Sequence, residues 1–152
     1  MVDTENLAEV AFENYKKIKE SNVQKFDTID KWLYKESSLF LGEISRKKSK
    51  FKKFRRGQII KVDFGINPGA ELCYTHFAIV LTKKDSIYSD NLIVIPITSK
   101  KGNNENRLNI GKILENVHPY SNKYDQTCYL NVSQIKAISK SRIFIEKKRI
   151  YM

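Results

Sequence analysis

The sequence predicts an α+β fold that is mainly β: a small, strongly curved sheet of antiparallel strands preceded by a helical extension. Short segments rich in β-branched residues and separated by turns begin near residue 57, a pattern typical of small all-β domains. Before residue 45 the apolar residues recur at helical spacing instead. A strongly basic strip separates the two parts. We therefore predict a helical arm with a basic linker over residues 1–50 and a barrel domain over residues 51–152.

The strands and turns of the predicted barrel follow from alternation, β-branching and turn residues. Residues 92–97 (LIVIPI) are almost entirely apolar, which indicates burial on both faces of that strand. Pro96 has no amide hydrogen, so we expect it near the end of the strand or at a sheet edge. Pro68 and Gly69 favour a turn between the first two strands, and residues 133–138 are predicted to form a turn or short helix. The predicted strands are residues 58–64, 77–82, 92–97, 108–113, 127–132 and 143–151.

Two amphipathic helices are predicted in the N-terminal arm, with a break at Ser21. Leu7 and Ile18 belong to the apolar face of the first helix, and Val23 and Leu33 to that of the second. Two helices of this size cannot form an independent core. We therefore expect them either to pack on the barrel or to act as an arm that binds a partner or builds a dimer.

The net charge of +11 is concentrated in one strip of the chain. Residues 45–56 carry eight basic residues and no acidic residue, whereas acidic residues are in excess before residue 45. Such a strip is typical of a phosphate-binding surface, and it also fits a solvated linker. Phe51 and Phe54 lie within it, where they either stack on nucleic-acid bases or anchor the strip to the core. The candidate RNA-binding residues of the strip are Lys52, Lys53, Arg55 and Arg56.

Composition argues against several classes of protein. No uncharged stretch approaches the roughly 18 residues that a membrane-spanning helix requires, so we predict no membrane association. Cys73 and Cys128 do not have the spacing of a metal-ligand pair, and no signal-like segment precedes them, so we predict a reducing, cytoplasmic compartment. The sequence has no Gly-rich phosphate loop, no cluster of metal ligands and no Ser-His-Asp pattern. We therefore expect neither a metal nor another cofactor.

Five short elements follow one another in the barrel region: residues 56–64 (RGQIIKVDF), 69–71 (GAE), 78–81 (AIVL), 96–98 (PIT) and 130–143 (LNVSQIKAISKSRI). Together they resemble the MazF/PemK family of toxin endoribonucleases from type II toxin-antitoxin systems. The resemblance implies a small SH3-like β-barrel that forms a homodimer and cleaves single-stranded RNA without a metal. It also implies a cognate antitoxin protein as a partner.

The resemblance places candidate catalytic residues at the ends of two predicted strands. His76, followed by Phe77, stands where the family pattern has Arg-Pro, and that Arg is the family's main catalytic residue. Thr98 stands where the family has its catalytic Thr. With an ordinary pKa near 6.5, a His can accept or donate a proton at neutral pH, whereas an Arg keeps its charge. A lone His beside a Phe is also common in structural positions, so both roles stay open for His76. Glu71, on the loop before it, is the second candidate titrating group.

Antiparallel pairing of the second and third strands would bring these groups together, because the start of one strand then lies beside the end of the other. Lys100 and Lys101 follow Thr98 directly and are candidates for binding RNA phosphates, although their loop is equally consistent with simple solvation. Two functions follow from this arrangement. One is a sequence-selective, metal-independent endoribonuclease toxin that cleaves single-stranded RNA. The alternative, suggested by the replacement of the family Arg with His76, is a catalytically inactive RNA- or protein-binding module on the same barrel.

Overall fold

The computed structural model describes residues 6–45, 51–102, 104–113 and 127–145. The chain divides into two compact units, Met1–Lys47 and Lys48–Met152. The described part of the first unit is helical. In the described part of the second unit, strands are joined by loops and short 3-10 turns. The predicted α+β fold, mainly β with N-terminal helices, is therefore confirmed.

The first unit contains two helices with a break where the sequence predicts one. Ser21 ends the first helix: its backbone is extended, and its hydroxyl donates to the Ile18 carbonyl at 2.6 Å. Ile29 and Trp32 of the second helix are buried, whereas large apolar side chains such as Phe12 are exposed. Whether this arm serves a partner or the barrel stays a prediction. The helices are α1, Leu7–Glu20, and α2, Ile29–Ser45, with a 3-10 turn at Gln24–Phe26 between them.

The second unit is built on six strands within the described residues, and every strand pair is antiparallel. The strands follow the order β1-β2-β3-β5-β4 across the sheet, with β6 paired to β3 as well. All five strands predicted between residues 58 and 132 are present, with ends that differ by one or two residues. The strands are β1, Ile59–Asp63; β2, Thr75–Val80; β3, Asn91–Thr98; β4, Arg107–Gly111; β5, Cys128–Asn131; and β6, Lys136–Ser139.

β3 is the central strand, because it pairs with three other strands at different points along its length. β2 pairs with one side of β3, while on the other side β6 pairs with its first half, as far as Val94, and β5 pairs from Ile97 onward. Pro96 lies between these two partners. The Leu81 amide donates to the Ile93 carbonyl, so alternation turns the nitrogen of Pro96 away from β2 and toward the gap. Pro96 is thus near the end of its strand, as predicted, although the strand lies in the interior of the sheet. Because its nitrogen faces the gap between β5 and β6, the missing amide hydrogen does not remove a hydrogen bond between strands.

A short contact after β6 closes the sheet into a barrel. Ile143 forms an antiparallel bridge with Val62 of β1, and the Phe144 amide donates to the Lys61 carbonyl at 2.9 Å. The path β1-β2-β3-β6 therefore returns to β1 and encloses the main core, whose burial stabilises the barrel. That core consists of Phe54, Ile60, Val62, Phe64, Ala78, Val80, Leu92, Val94, Ile138 and Ile143.

The last part of the barrel differs from the prediction. Residues 133–138 are predicted to form a turn or short helix, but only Val132–Gln134 is a 3-10 turn, and β6 follows it. Ile138 is the one buried residue among the four of β6, so the strand leaves no alternating pattern in the sequence. Of the strand predicted over 143–151, Ile143 forms the bridge to β1, and residues 146–151 lie outside the described residues.

A buried ion pair fastens the end of the basic strip to the barrel. Lys140 Nζ lies 2.7 Å from Asp85 Oδ1, and both side chains are almost fully buried. Asp85 Oδ2 accepts a hydrogen bond from the Phe54 amide at 2.8 Å, while Lys140 also donates to the Ser86 carbonyl at 2.8 Å. Burial raises the pKa of Asp85, but the hydrogen bonds from Lys140, Phe54 and Ser86 outweigh burial and hold that pKa below its usual value. Phe54 is 4% exposed, so it anchors the strip and is not free to stack on a base.

Candidate active site

The rim of the barrel where β2 begins and β3 ends brings His76 and Thr98 together. The pairing of β2 with β3 runs from Val80–Val94 to Ala78–Pro96. Continued by two residues beyond its last pair, this register sets His76 opposite Thr98, and the His76 ring hydrogen-bonds the carbonyl of Ile97, the residue before Thr98. Directly opposite side chains on antiparallel strands point to the same face, with Cβ atoms about 4.5–5.5 Å apart. The two residues that the resemblance singles out are therefore neighbours across the sheet.

His76 is half-buried, and its ring is held by the backbone. Its Nε2 lies 3.0 Å from the Cys73 carbonyl oxygen, and the ring meets Phe64 edge to face with centroids 6.3 Å apart. Burial lowers the pKa of His76 below its ordinary value, and the charge of Lys100 lowers it further, while hydrogen bonds with the Cys73 and Ile97 carbonyls act in the opposite direction. The ring is therefore neutral at neutral pH, which suits it to accept a proton.

The turn before His76 contains a strained residue, Tyr74. Its φ of 69° is left-handed, a conformation that costs a non-glycine residue about 1–2 kcal/mol. The Tyr74 amide donates to the Gly65 carbonyl at 2.6 Å, and its carbonyl accepts from the Phe64 amide at 2.8 Å. These two bonds hold the turn in the conformation that presents the Cys73 carbonyl to the His76 ring. Such strain is found disproportionately beside functional sites.

Thr98 and the lysines after it complete the rim. The Lys100 amide donates to Thr98 Oγ1 at 3.2 Å, which turns the chain at the end of β3 and leaves the hydroxyl hydrogen of Thr98 available to donate. Lys100 and Lys101 are exposed, and the charge of Lys100 is close enough to affect the pKa of His76. A hydroxyl, a neutral imidazole and an ammonium group thus occupy one edge of the barrel.

Glu71 lies on the loop that leads to β2 but pairs with a different part of the barrel. Its Oε2 lies 3.5 Å from Lys136 Nζ in a pair that is partly exposed. Gln134 holds the same loop, because its side-chain oxygen accepts from the Leu72 amide at 2.9 Å. The structure therefore directs the carboxylate of Glu71 toward β6 and does not place it against the ring of His76.

The described end of the basic strip, residues 51–56, lies at the opposite end of β2 from His76. Arg56 Nε donates to the Leu81 carbonyl at 2.9 Å, and the Gly57 amide donates to the Val80 carbonyl at 2.8 Å. Between His76 and Leu81 an extended strand covers roughly 16 Å. The structure does not bring this part of the strip to the rim, so an RNA chain that contacts both must run along the barrel. The exposed basic residues of the strip are Lys52, Lys53, Arg55 and Arg56.

Three polar residues that the sequence pattern did not single out share the face of Thr98. Thr98 pairs with Tyr129, and Tyr129 pairs with Asn109 on the next strand. Paired side chains point to the same side, and Arg107, two residues before Asn109, lies on that side by alternation. The sequence predicts both strands but not which strand each one pairs with. Only the register identifies these residues as neighbours of the rim.

The barrel and its rim match a known family. A family model described as PemK-like, MazF-like toxin of type II toxin-antitoxin system matches residues 55–151. The chain belongs to this toxin family. The match begins at the end of the basic strip and covers every described strand of the barrel. No curated protein sequence matches the chain.

Two further properties of this MazF-like toxin concern membranes and metals. Among the residues that the structure describes, α1 and α2 are too short or too polar to qualify as membrane-spanning helices. In the same residues, no three His, Cys, Asp or Glu side chains converge in the way that a metal site requires.

The lowered pKa of His76 predicts a stability change with pH in this toxin. Above about pH 6.5 the ring is neutral in both the folded and the unfolded chain. As the pH falls below that value, the unfolded chain binds a proton while the folded chain does not, so the free energy of unfolding falls until the lower folded pKa is reached. Urea unfolding between about pH 7.5 and 5.5 should show this loss. His76→Gln should reduce it, and an equal loss in the wild type and in His76→Gln would contradict the assignment to His76.

Proposed function

We propose that this toxin is a sequence-selective, metal-independent endoribonuclease that cleaves single-stranded RNA. The observation that carries the proposal is the approach of β2 and β3 at the rim, where the His76 ring hydrogen-bonds the Ile97 carbonyl next to Thr98 and lies close enough to Lys100 to be influenced by its charge. A titrating ring, a hydroxyl and a cation are the groups that RNA transesterification requires. The family assignment supports the same conclusion, because its toxins are typically endoribonucleases.

The proposed reaction is a transesterification within the RNA. The ribose 2′-oxygen attacks the adjacent phosphorus while its proton passes to the neutral ring of His76. The bond from phosphorus to the 5′-oxygen breaks, and that oxygen takes a proton from a water molecule that the second titrating group orients. The products are a 2′,3′-cyclic phosphate and a 5′-hydroxyl. Thr98 Oγ1 donates to a phosphoryl oxygen, and the ammonium group of Lys100 offsets the charge that develops there.

Glu71 is the candidate for the second titrating group in this proposal. It lies on the loop that ends at β2, the strand that carries His76. Its ion pair with Lys136 is long, at 3.5 Å, and partly exposed. Exposed pairs of this kind contribute about 1 kcal/mol or less, so a bound substrate can displace the pair at small cost. The movement of this loop would also withdraw the Cys73 carbonyl from His76.

The experiment that tests the proposal compares RNA with DNA. Purified toxin is incubated with an end-labelled single-stranded RNA of mixed sequence in the presence of EDTA, and with the DNA of the same sequence. We expect discrete RNA fragments that end in 2′,3′-cyclic phosphate and no cut in the DNA, which lacks the attacking 2′-oxygen. Fragments with a 3′-hydroxyl, cleavage of the DNA, or intact RNA would each overturn the proposal.

One observation favours a second candidate, a binding module without catalysis. The ring of His76 is bonded to the Cys73 carbonyl and packed against Phe64, so its position is also that of a structural histidine. In that case the toxin would bind RNA or protein through the same rim and leave RNA intact. The cleavage assay combined with a measurement of RNA affinity separates the two candidates, because only the module binds RNA that it never cuts.

The partners in the proposal are RNA, a cognate antitoxin and a second copy of the chain, in the cytoplasm. Family membership implies the antitoxin and the homodimer. The exposed basic residues support the interaction with RNA. A two-fold dimer would bring two copies of the basic strip to one assembly, which would lengthen the positive surface available to a single strand.

The basic strip should make RNA binding strongly salt-dependent. Replacing Lys52, Lys53, Arg55 and Arg56 together with Gln is expected to flatten the plot of log affinity against log salt by roughly 0.7 for each phosphate that the strip no longer neutralises. The measurement is RNA affinity by fluorescence anisotropy over a salt series. The matched control replaces four exposed lysines of the helical unit, Lys16, Lys17, Lys19 and Lys31, with Gln. Equal slopes in the strip variant and the wild type would mean that the strip is a solvated linker.

A further inference from the structure

Arg107 lies on the same sheet face as Thr98, at the first position of β4. Two strand pairings connect them, because Thr98 pairs with Tyr129 and Tyr129 pairs with Asn109. Arg107 is two residues before Asn109 and therefore shares its face. The two strand spacings between β3 and β4 amount to about 10 Å, and the two-residue offset adds about 7 Å along the strand, so the Cα atoms of Thr98 and Arg107 are about 12 Å apart. An arginine side chain that extends toward β3 and a phosphate bound at Thr98 together bridge that distance.

Two of the three guanidinium nitrogens of Arg107, Nε and Nη1, are shielded from solvent and have no hydrogen-bond partner among the described residues, although the residue as a whole is half-buried. Buried polar groups in folded proteins are nearly always paired, so an unpaired charged group requires an explanation. Keeping such a group is unfavourable for stability, which indicates that Arg107 serves something other than the resting fold.

Gly102, in the loop that follows Thr98, lies against the side chain of Arg107. Gly102 has a left-handed φ of 55°, and a Cβ at this position would lie 3.0 Å from Arg107 Nε. The backbone of the loop therefore passes directly against the arginine side chain. The same loop starts at Thr98 and carries Lys100 and Lys101. A ligand that binds these residues would therefore also shift Gly102, which packs against Arg107.

We propose that Arg107 is a phosphate-binding residue of the candidate site and supplies the guanidinium that position 76 lacks. This inference rests on the proposed function. When RNA binds at Thr98, the loop of residues 99–102 moves aside, and the unpaired N–H groups of Arg107 donate to phosphate oxygens beside Thr98. Guanidinium groups bind phosphate through parallel hydrogen bonds and keep their charge at every physiological pH. The neutral ring of His76 then needs to act only as a base.

The test combines affinity, cleavage and stability of Arg107→Gln and Arg107→Lys. Affinity is measured with a single-stranded RNA that carries 2′-fluoro groups and cannot be cut, and cleavage with unmodified RNA of the same sequence. Arg107→Gln is expected to weaken 2′-fluoro RNA binding by at least tenfold and to lower kcat/KM by about 10²–10³-fold, with a Tm equal to or above that of the wild type because an unpaired buried charge is gone. Arg107→Lys should restore only part of the affinity. Lys31→Gln, which removes an exposed charge from α2, is the matched control and should change none of these quantities.

A second variant separates this inference from the proposed function. In the double variant His76→Arg with Arg107→Gln, a guanidinium is returned to the rim, and part of the RNA affinity should return with it. If the wild type cuts RNA and Arg107→Gln binds and cuts equally well, the inference is wrong and the endoribonuclease proposal stands. If the wild type binds RNA without cutting it, the affinity measurements alone decide the role of Arg107. A lower Tm in Arg107→Gln with unchanged affinity would assign the residue to the fold, and a wild type that does not bind RNA would overturn both proposals.

Discussion

Replacing Lys140 with methionine is expected to lower the free energy of unfolding by about 3–5 kcal/mol. The substitution leaves the carboxylate of Asp85 buried without its cation, although the Phe54 and Ser86 amides still donate to it. It also removes the bond from Lys140 to the Ser86 carbonyl. Urea unfolding at neutral pH measures the loss, and the thermal midpoint should fall by roughly 10 °C or more. Because the folded pKa of Asp85 is lowered, the pair stabilises the fold fully above about pH 4, and this contribution disappears as the pH falls through that folded pKa.

The matched control for this prediction is Lys136→Met, the same substitution in an ion pair that is partly exposed. It should cost no more than about 1 kcal/mol. The double variant Lys140→Met with Asp85→Asn should recover part of the loss, since no uncompensated charge then remains in the core. A cost for Lys140→Met as small as that for Lys136→Met would show that the buried pair contributes little to the fold.

Replacing Thr98 or His76 with alanine is expected to remove most RNA cleavage and leave the barrel folded. Loss of a general base typically costs 10²–10⁴-fold in rate, and loss of a donor to the phosphoryl oxygen about 10²–10³-fold. Single-turnover cleavage of a fluorescent single-stranded RNA measures both effects. Thr75→Ala, at an exposed position of the same strand as His76, is the control for these variants.

The pH dependence of cleavage identifies the role of His76. As a base it must be neutral, so the wild-type rate should fall as the pH drops through the folded pKa, which lies below 6.5. His76→Arg restores the residue of the family pattern. If the His76→Arg variant is active and its rate no longer falls at low pH, the fall in the wild-type rate is due to protonation of His76. If both alanine variants cut RNA at the wild-type rate, the rim is not the active site.

Local pattern was sufficient to predict most of the barrel. Alternation and β-branching predicted β1, in which every second residue is buried, and a nearly continuous apolar run predicted β3, which is buried over most of its length. β6 was missed because only Ile138 of its four residues is buried. Its position is fixed by pairing with β3, and a strand so short is stabilised by its partner and not by its own composition.

The candidate site was predicted only in part, for a related reason. His76 and Thr98 could be predicted because they lie at strand ends in a recognisable pattern. Tyr129 and Arg107 could not, because their relation to Thr98 exists only through the pairing of β3, β5 and β4. The ion pair of Glu71 with Lys136 likewise depends on where the loop meets β6.

The sequence by itself determined the division into a helical arm and a β-barrel, the positive charge of the strip and the residues at the ends of β2 and β3. These properties depend on residues that are close together in the chain, so they can be predicted directly from alternation, spacing and charge. The tertiary structure alone decided that the described end of the strip lies at the far end of β2 from His76, that Lys140 neutralises Asp85 in the core and that Arg107 shares the face of Thr98. Each of these depends on strands and loops distant in the chain that come together because their apolar faces are buried in common, and no local pattern specifies which of them will meet.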